Sequence, residues 1–229
     1  MTTVGFIGSG RIGSTVAHLA VAAGHQVVLS NSRGPQTLGD LVSELGPLAR
    51  AATAEEAASG ADLVLVSIPV KAYPDISRVA LTGVALTGKV VMDTGNYSPA
   101  RRDGQIAELD GGALTSSEWL EQLLTGASVV KVFNNIYFKH LEYLSRPSGA
   151  ADRSFLPIAG DDPAAKDAVT GFLDEIGYGA VDAGPLAEGW RQQPGTPVYG
   201  APYGPFDDEK GTPAAADVIR AALAAATRS

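Results

Sequence analysis

The sequence contains no cysteine, which excludes disulfides, thiolate metal sites and thiol nucleophiles together. Its three histidines fall into no metal-ligand spacing, and neither an H-E-x-x-H helix nor a G-x-S-x-G nucleophile elbow occurs. Charged residues are only 18% and hydrophobic residues 45%, the balance of a globular chain rather than a disordered one. No apolar run approaches the roughly 18 residues that span a bilayer. The opening MTTVGFIGSG has neither a basic stretch nor a small-residue cleavage site, so a cytoplasmic protein is expected. Positive charge is also short. The net charge of −8 argues against nucleic acid or anionic membrane as partners and leaves a small molecule. Any anionic cofactor must then be held by local donors.

What is present is alternation. Short apolar runs at Val4–Ile7, Gln26–Ser30, Leu48–Ala52, Asp62–Ile68, Lys89–Asp93 and Ser128–Phe133 read as strands. Between them, helices are expected over Arg11–Ala23, Leu38–Leu45, Glu55–Ser59, Ala72–Ala80 and Ser117–Leu124. Continuous apolar strands separated by helices imply an α/β fold, a doubly wound parallel sheet of the Rossmann type. Ser154–Ala159, Pro163–Ile176 and Ala180–Ala183 form one more βαβ unit, which either extends the sheet or makes a small C-terminal lobe. The domain reading is residues 1–145 for the nucleotide-binding part and 146–229 for the remainder.

The window Gly184–Pro213 holds 12 Gly and Pro in 30 residues, together with Trp190, Tyr199, Tyr203 and Phe206. That density predicts irregular structure. Long loops in compact domains are functional or disordered, and the aromatics favour function. A last helix is expected over Ala214–Ala226.

Gly8-Ser9-Gly10-Arg11-Ile12-Gly13 is a G-x-G-x-x-G run placed between a predicted strand and a predicted helix. In that context Gly8 permits the turn, Gly10 lets backbone approach a pyrophosphate, and Gly13 lets helix and strand pack closely. The helix N-terminus supplies N–H groups and a positive dipole end. A glycine-rich turn without a ligand is the competing explanation.

Dinucleotide sites that prefer NAD place Asp or Glu after the second strand to take the ribose hydroxyls. Here the residues are Ser30-Asn31-Ser32-Arg33, and the next acid is Asp40. Ser32 and Arg33 can donate to a 2′-phosphate, so NADP(H) is the expected cofactor. The alternative is a polar turn with a solvated arginine. Ser67-Ile68-Pro69, Asn96 and Asn134 end later strands at the same rim and join the cofactor-binding set. Asn135, Trp190 and Tyr199 are assigned to the acceptor. The paired asparagines serve equally well as turn caps. No catalytic acid or base and no metal ligand is assigned. His18 and His25 read as structural, and His140 as either a site neighbour or a surface residue.

The chain resembles the NADPH-dependent deazaflavin reductases, or coenzyme F420:NADP oxidoreductases. The resemblance runs through VGFIGSGRIG, NSR, LVLVSIPV, VVMDTGNY, SVVKVFNNI and GDDPAAKDAV…EIGY…VDAGPL, about four fifths of the chain. It implies a Rossmann domain with a small C-terminal lobe, commonly a homodimer. The chemistry implied is hydride transfer between nicotinamide and deazaflavin coenzyme F420, the second substrate. Such a transfer asks side chains for proximity and a shaped pocket more than for acid–base work. After VDAGPLAEG the sequence departs from the family, running on as WRQQPGTPVYGAPYG.

Three readings follow. The first is an NADPH-dependent oxidoreductase with a deazaflavin or similar planar acceptor. The second is an imine, 2-oxo acid or ferric reductase; the imine and hydroxy-acid enzymes usually add a large helical domain, for which too few residues remain here. The third is an NADP-binding protein without turnover.

Overall fold

The structure, a computed structural model, describes residues 1–79 and 86–228. Among these, eight strands form one sheet in the order β3-β2-β1-β4-β5-β6-β7-β8. The strands are β1 (Thr3–Ile7), β2 (Gln26–Ser30), β3 (Ala49–Ala51), β4 (Leu63–Val66), β5 (Val90–Asp93), β6 (Ser128–Lys131), β7 (Phe155–Gly160) and β8 (Gly179–Asp182). The helices are α1 (Arg11–Ala22), α2 (Gly39–Leu45), α3 (Ala54–Ser59), α4 (Tyr73–Val79), α5 (Ala107–Asp110), α6 (Ser116–Leu123), α7 (Phe138–Tyr143), α8 (Pro163–Glu175) and α9 (Ala216–Ala224). No helix among the described residues is long and apolar enough to cross a membrane.

The unbroken apolar strands are explained by burial on both faces. Leu63 and Leu65 of β4 join a core with Val4, Phe6 and residues of α1 and α8, while Val64 and Val66 join a second core with Tyr73 and Trp119. Strand pairing is parallel from β3 through β6. This is the expected Rossmann-type arrangement.

The C-terminal βαβ unit extends the sheet. β7 pairs antiparallel with β6 through Val130↔Gly160, and β8 runs parallel to β7. Leu156, Ile158, Phe172 and Val181 share one core with Val4 and Val130. Asp162 caps α8 by accepting from Ala164 N at 2.9 Å, with Pro163 in the first turn.

Several local features differ from expectation. The helix anticipated at Leu38 begins earlier, as a 3-10 turn over Pro35–Leu38 that leads into α2. The helix anticipated over Ala72–Ala80 is α4, and Ala80 lies outside the described residues. Helices α5 and α7 and a π-type turn over Pro99–Asp103 were not anticipated, being too short for helical periodicity to register. Regular structure also occurs within Gly184–Pro213, as 3-10 helices over Leu186–Gln192 and Ala201–Tyr203. Short 3-10 turns tolerate the proline spacing that an α-helix does not. The segment is pinned to the sheet: Tyr203 Oη donates to the Phe155 carbonyl at 2.8 Å, and Leu186, Val198 and Tyr203 are fully buried.

Candidate cofactor and acceptor site

The carboxyl ends of β1, β4, β5 and β6 open on a crevice of about 720 Å³. It lies where the strand order reverses beside β1, the position at which open α/β sheets bind ligands. Its size falls within the range of small-molecule sites.

One end of the crevice is the glycine turn. Gly8 has φ +104°, and a Cβ there would lie 2.3 Å from the Ser67 carbonyl oxygen, so the turn admits only glycine. A Cβ on Gly13 would lie 2.3 Å from the Gly8 carbonyl oxygen, whereas Gly10 faces open space. Ser9 is not free for a ligand through its hydroxyl, which donates to the Ser30 carbonyl at 2.9 Å and ties the turn to β2. Helix α1 starts at Arg11 after Gly10, with no side-chain cap and no acid in its first turn. Its first N–H groups, beside Arg11 and Ile12 in the crevice lining, are therefore available to an anion.

After β2, Asn31 shapes the turn. Its Oδ1 accepts from Arg33 N at 2.9 Å, and its Nδ2 reaches Thr37 Oγ1 at 2.9 Å. Ser32 and Arg33 are exposed, and the Arg33 guanidinium has no partner among the described residues. These two residues are the donors available for a phosphate.

Ser67, Ile68 and Pro69 line the crevice after β4, as do Asn96 after β5 and Asn134 and Asn135 after β6. Asn96 Nδ2 donates to the Asn134 carbonyl at 2.8 Å, and Asn134 Nδ2 returns a bond to Asn96 Oδ1 at 2.9 Å. The Asn134 and Asn135 side-chain oxygens are buried without a partner among the described residues. Such acceptors are uncommon, and each calls for a donor. Phe133, just before them, is held at φ +63° although it is not glycine. Strain of this kind costs about 1–3 kcal/mol and clusters at functional sites. Nothing in the sequence announced it.

Behind this wall lies a buried polar network that was also not anticipated. Lys131 and Asp93 are cross-strand partners at the ends of β6 and β5, and both are fully buried. The Lys131 ammonium donates to the Gly95 carbonyl at 2.7 Å and Ser117 Oγ at 3.0 Å, and sits 3.7 Å from the Asp93 carboxylate. Asp93 accepts from Tyr73 Oη at 2.6 Å, Ser117 Oγ at 2.7 Å and Gly95 N at 2.9 Å. Both backbone groups of Gly95, a crevice residue, are thus held by the pair. Burial pushes the Lys131 ammonium below its ordinary pKa, and the Asp93 charge opposes that shift. Burial and the Asp93 charge raise the Tyr73 phenol well above its usual value.

The far side of the crevice is aromatic. Tyr137, Phe138, Tyr199 and Phe206 line it, with Tyr137 and Phe206 edge-to-face at 5.6 Å. Of the residues assigned to the acceptor, Tyr199 and Asn135 are at this crevice. Asn135 also anchors the segment, donating to the Val198 carbonyl at 3.0 Å and accepting from Gly200 N at 2.8 Å. Trp190 is elsewhere, in a separate hollow of about 240 Å³ with Tyr97 and Arg228. The Arg191 and Arg228 guanidinium groups lie 4.9 and 5.5 Å from its ring centroid. His140 is neither at the surface nor in the lining: it is fully buried, with Nε2 2.6 Å from the Asp208 carbonyl oxygen.

The sequence model of one family, NADP oxidoreductase coenzyme F420-dependent, matches residues 3–97. A hypothetical protein of Sinorhizobium meliloti, SMa0349, is 31% identical, with 86% of this chain and 93% of that chain covered and a TM-score of 0.73. A candidate F420-dependent NADP reductase of Arthrobacter sp. FB24 has the same fold, with a TM-score of 0.66, 22% identity and coverage of 81% and 86%. Escherichia coli (strain K12) YjhV is 42% identical over 53 residues, 23% of this chain, and the match spans only 39% of YjhV. The matched residues 3–97 hold the glycine turn, the Asn31–Arg33 turn and the β4 and β5 ends of the crevice. Residues 3–97 thus belong to the coenzyme F420-dependent NADP oxidoreductase family, and the chain is related to SMa0349 along nearly its whole length.

Proposed function

We propose that the protein is an NADP(H)-dependent enzyme that transfers a hydride between nicotinamide and a deazaflavin, coenzyme F420 or a similar planar acceptor. The observation that carries this reading is the make-up of the crevice: an uncapped helix N-terminus at one end, an aromatic wall at the other, and, among the described residues, no carboxylate or histidine between. The residues present suit the cofactor. The first turn of α1 takes the pyrophosphate, Ser32 and Arg33 the 2′-phosphate, and the Asn96 and Asn134 strand ends line the crevice where the nicotinamide ribose would pass. When bound, NADPH supplies the hydride. The chain's part is to bind and align two flat rings and to keep water out.

The test follows NADPH absorbance with deazaflavin, flavin, ferric chelate, imine and 2-oxo acid acceptors. Oxidation with the deazaflavin is expected. Turnover confined to imines or 2-oxo acids would assign the protein to that chemistry, and no turnover with any acceptor would leave a nucleotide-binding protein.

Two expectations concern individual residues. Tyr199→Ala raises the acceptor KM and leaves NADPH affinity unchanged, because an aromatic face is lost from the crevice wall. Trp190→Ala leaves both unchanged, since Trp190 lines a different hollow. The reverse pattern in steady-state kinetics would move the acceptor site to Trp190. Tyr137 and Tyr199 bring the phenol hydroxyls of the lining. Tyr137→Phe and Tyr199→Phe should keep turnover within about tenfold, short of the 10²–10⁴-fold loss that follows removal of a general acid. A thousandfold fall in either variant, with binding intact, would point to acid catalysis and the imine reading.

A further inference from the structure

The charge of the crevice is opposite to that of the protein. The chain carries −8 overall, yet the crevice lining contains Arg11, Arg101 and Arg102 and, among the described residues, no acidic side chain. A cleft of one sign concentrates ligands of the other.

The three arginines are not equivalent. Arg102 is committed, donating to the Asn96 carbonyl at 2.6 Å and to Asp103 Oδ1 at 3.2 Å. Arg11 lies over the Phe138 ring at 5.1 Å, at the helix N-terminus that the cofactor reading assigns to the pyrophosphate. Arg101 is exposed, and its guanidinium makes no hydrogen bond, ion pair or ring contact among the described residues.

Arg101 nevertheless sits on a well-fixed turn. It belongs to the π-type turn Pro99–Asp103, in which Ser98 O accepts from the N–H groups of residues 101, 102 and 103. Buried Asp103 closes the turn by accepting from Ser98 N at 2.8 Å and Lys71 N at 3.4 Å. A guanidinium on such a mount loses little backbone entropy when it binds. Its planar fork fits a carboxylate or phosphate with two parallel hydrogen bonds. The same crevice exposes an apolar ring: Phe206 is 54% exposed, with Tyr137 and Tyr199 at 5.6 and 6.5 Å.

We propose that Arg101 is a specificity-determining residue that binds an acid group, carboxylate or phosphate ester, carried by the acceptor, so that the crevice selects acid-bearing ring acceptors over neutral ones. The inference rests on the reading that the acceptor is a planar ring held at the aromatic wall. The cofactor's own phosphates are the other source of such an anion, and the experiment separates the two.

The protein saturated with NADP⁺ is titrated with 5-deazariboflavin and with its 5′-phosphate, and NADPH is titrated separately. The parent should bind the phosphate ester about tenfold more tightly than the neutral ring, the effect of one charge-assisted contact. Arg101→Ala should abolish that preference while leaving neutral-ring and NADPH affinities unchanged, and Arg101→Lys should retain part of it. The preference should shrink as salt is raised. Binding of both ring compounds without preference, or a preference that survives in Arg101→Ala, overturns the inference and leaves the planar-acceptor reading standing. A tenfold loss of NADPH affinity in Arg101→Ala also overturns it, since the guanidinium then serves the cofactor. Failure of both ring compounds to bind the parent overturns the acceptor reading and this inference with it.

Discussion

Arg33→Ala is expected to weaken NADPH binding ten- to a hundredfold and to leave NADH binding nearly unchanged. The turn that carries Arg33 is organised by other groups: Asn31 accepts from the Arg33 backbone and bonds Thr37, so truncating the Arg33 side chain leaves the turn in place. What is lost is the guanidinium alone. A charge-assisted hydrogen bond is worth about 1.5–3 kcal/mol, reduced here by solvent exposure, and about 1.4 kcal/mol is a factor of ten. NADH has no 2′-phosphate, so it has no such contact to lose. Asn31→Asp should move preference towards NADH: an aspartate can still accept from Arg33 N and shape the turn, but its charge repels the phosphate and accepts from free ribose hydroxyls. Titrations of both cofactors against the parent and the two variants decide the matter. Equal losses for NADH and NADPH in Arg33→Ala would mean that the arginine supports the fold or the adenine, and the NADP preference would have to be abandoned.

The parts of the site that were legible in the sequence are the local ones. The G-x-G-x-x-G run, the strand before it and the helix after it lie within twenty residues, and the backbone requirement at Gly8 follows from that context. Asn31–Arg33 was legible for the same reason, as a turn whose position follows from the second strand. The expected strands appear because burial on both faces demands continuous apolar runs, which leave a strong pattern. Features set by long-range packing were not legible. Trp190 and Tyr199 stand nine residues apart in the same glycine- and proline-rich segment, and only the anchoring of that segment by Asn135 and Tyr203 sends them to different hollows. A signal for the Lys131–Asp93 pair did exist: each is a charged residue at the end of an apolar strand, and the two strands are neighbours. Reading it required the cross-strand register, which places Asp93 opposite Lys131. The strain at Phe133 left no trace in composition or spacing.

That buried pair carries the largest expected effect on stability. Lys131→Met removes the ammonium and leaves the Asp93 carboxylate in the interior with Tyr73, Ser117 and Gly95 N as its remaining donors. Breaking a buried ion pair from one side costs about 3–5 kcal/mol, because the surviving charge is uncompensated. For a chain of this size that corresponds to a fall in melting temperature of roughly 6–20 °C. The double variant Asp93→Asn/Lys131→Met should recover part of the loss, since no charge is then buried, and the asparagine can still accept from Tyr73 and donate to Ser117. Asp93→Asn alone behaves differently, because a lysine can escape by losing its proton. Burial already lowers the Lys131 pKa, and Asp93 is what opposes the shift. Without Asp93 the folded-state pKa falls further below the unfolded value of about 10.4. Where the folded state binds fewer protons than the unfolded state, stability rises with pH. The deficit of Asp93→Asn relative to the parent should therefore be largest at low pH and shrink as the solution is made more alkaline. Denaturant unfolding at about pH 6 and about pH 9, both below the unfolded lysine value, tests the sign. A deficit that is constant between the two, or a Lys131→Met variant as stable as the parent, would show that the two groups are not coupled as an ion pair.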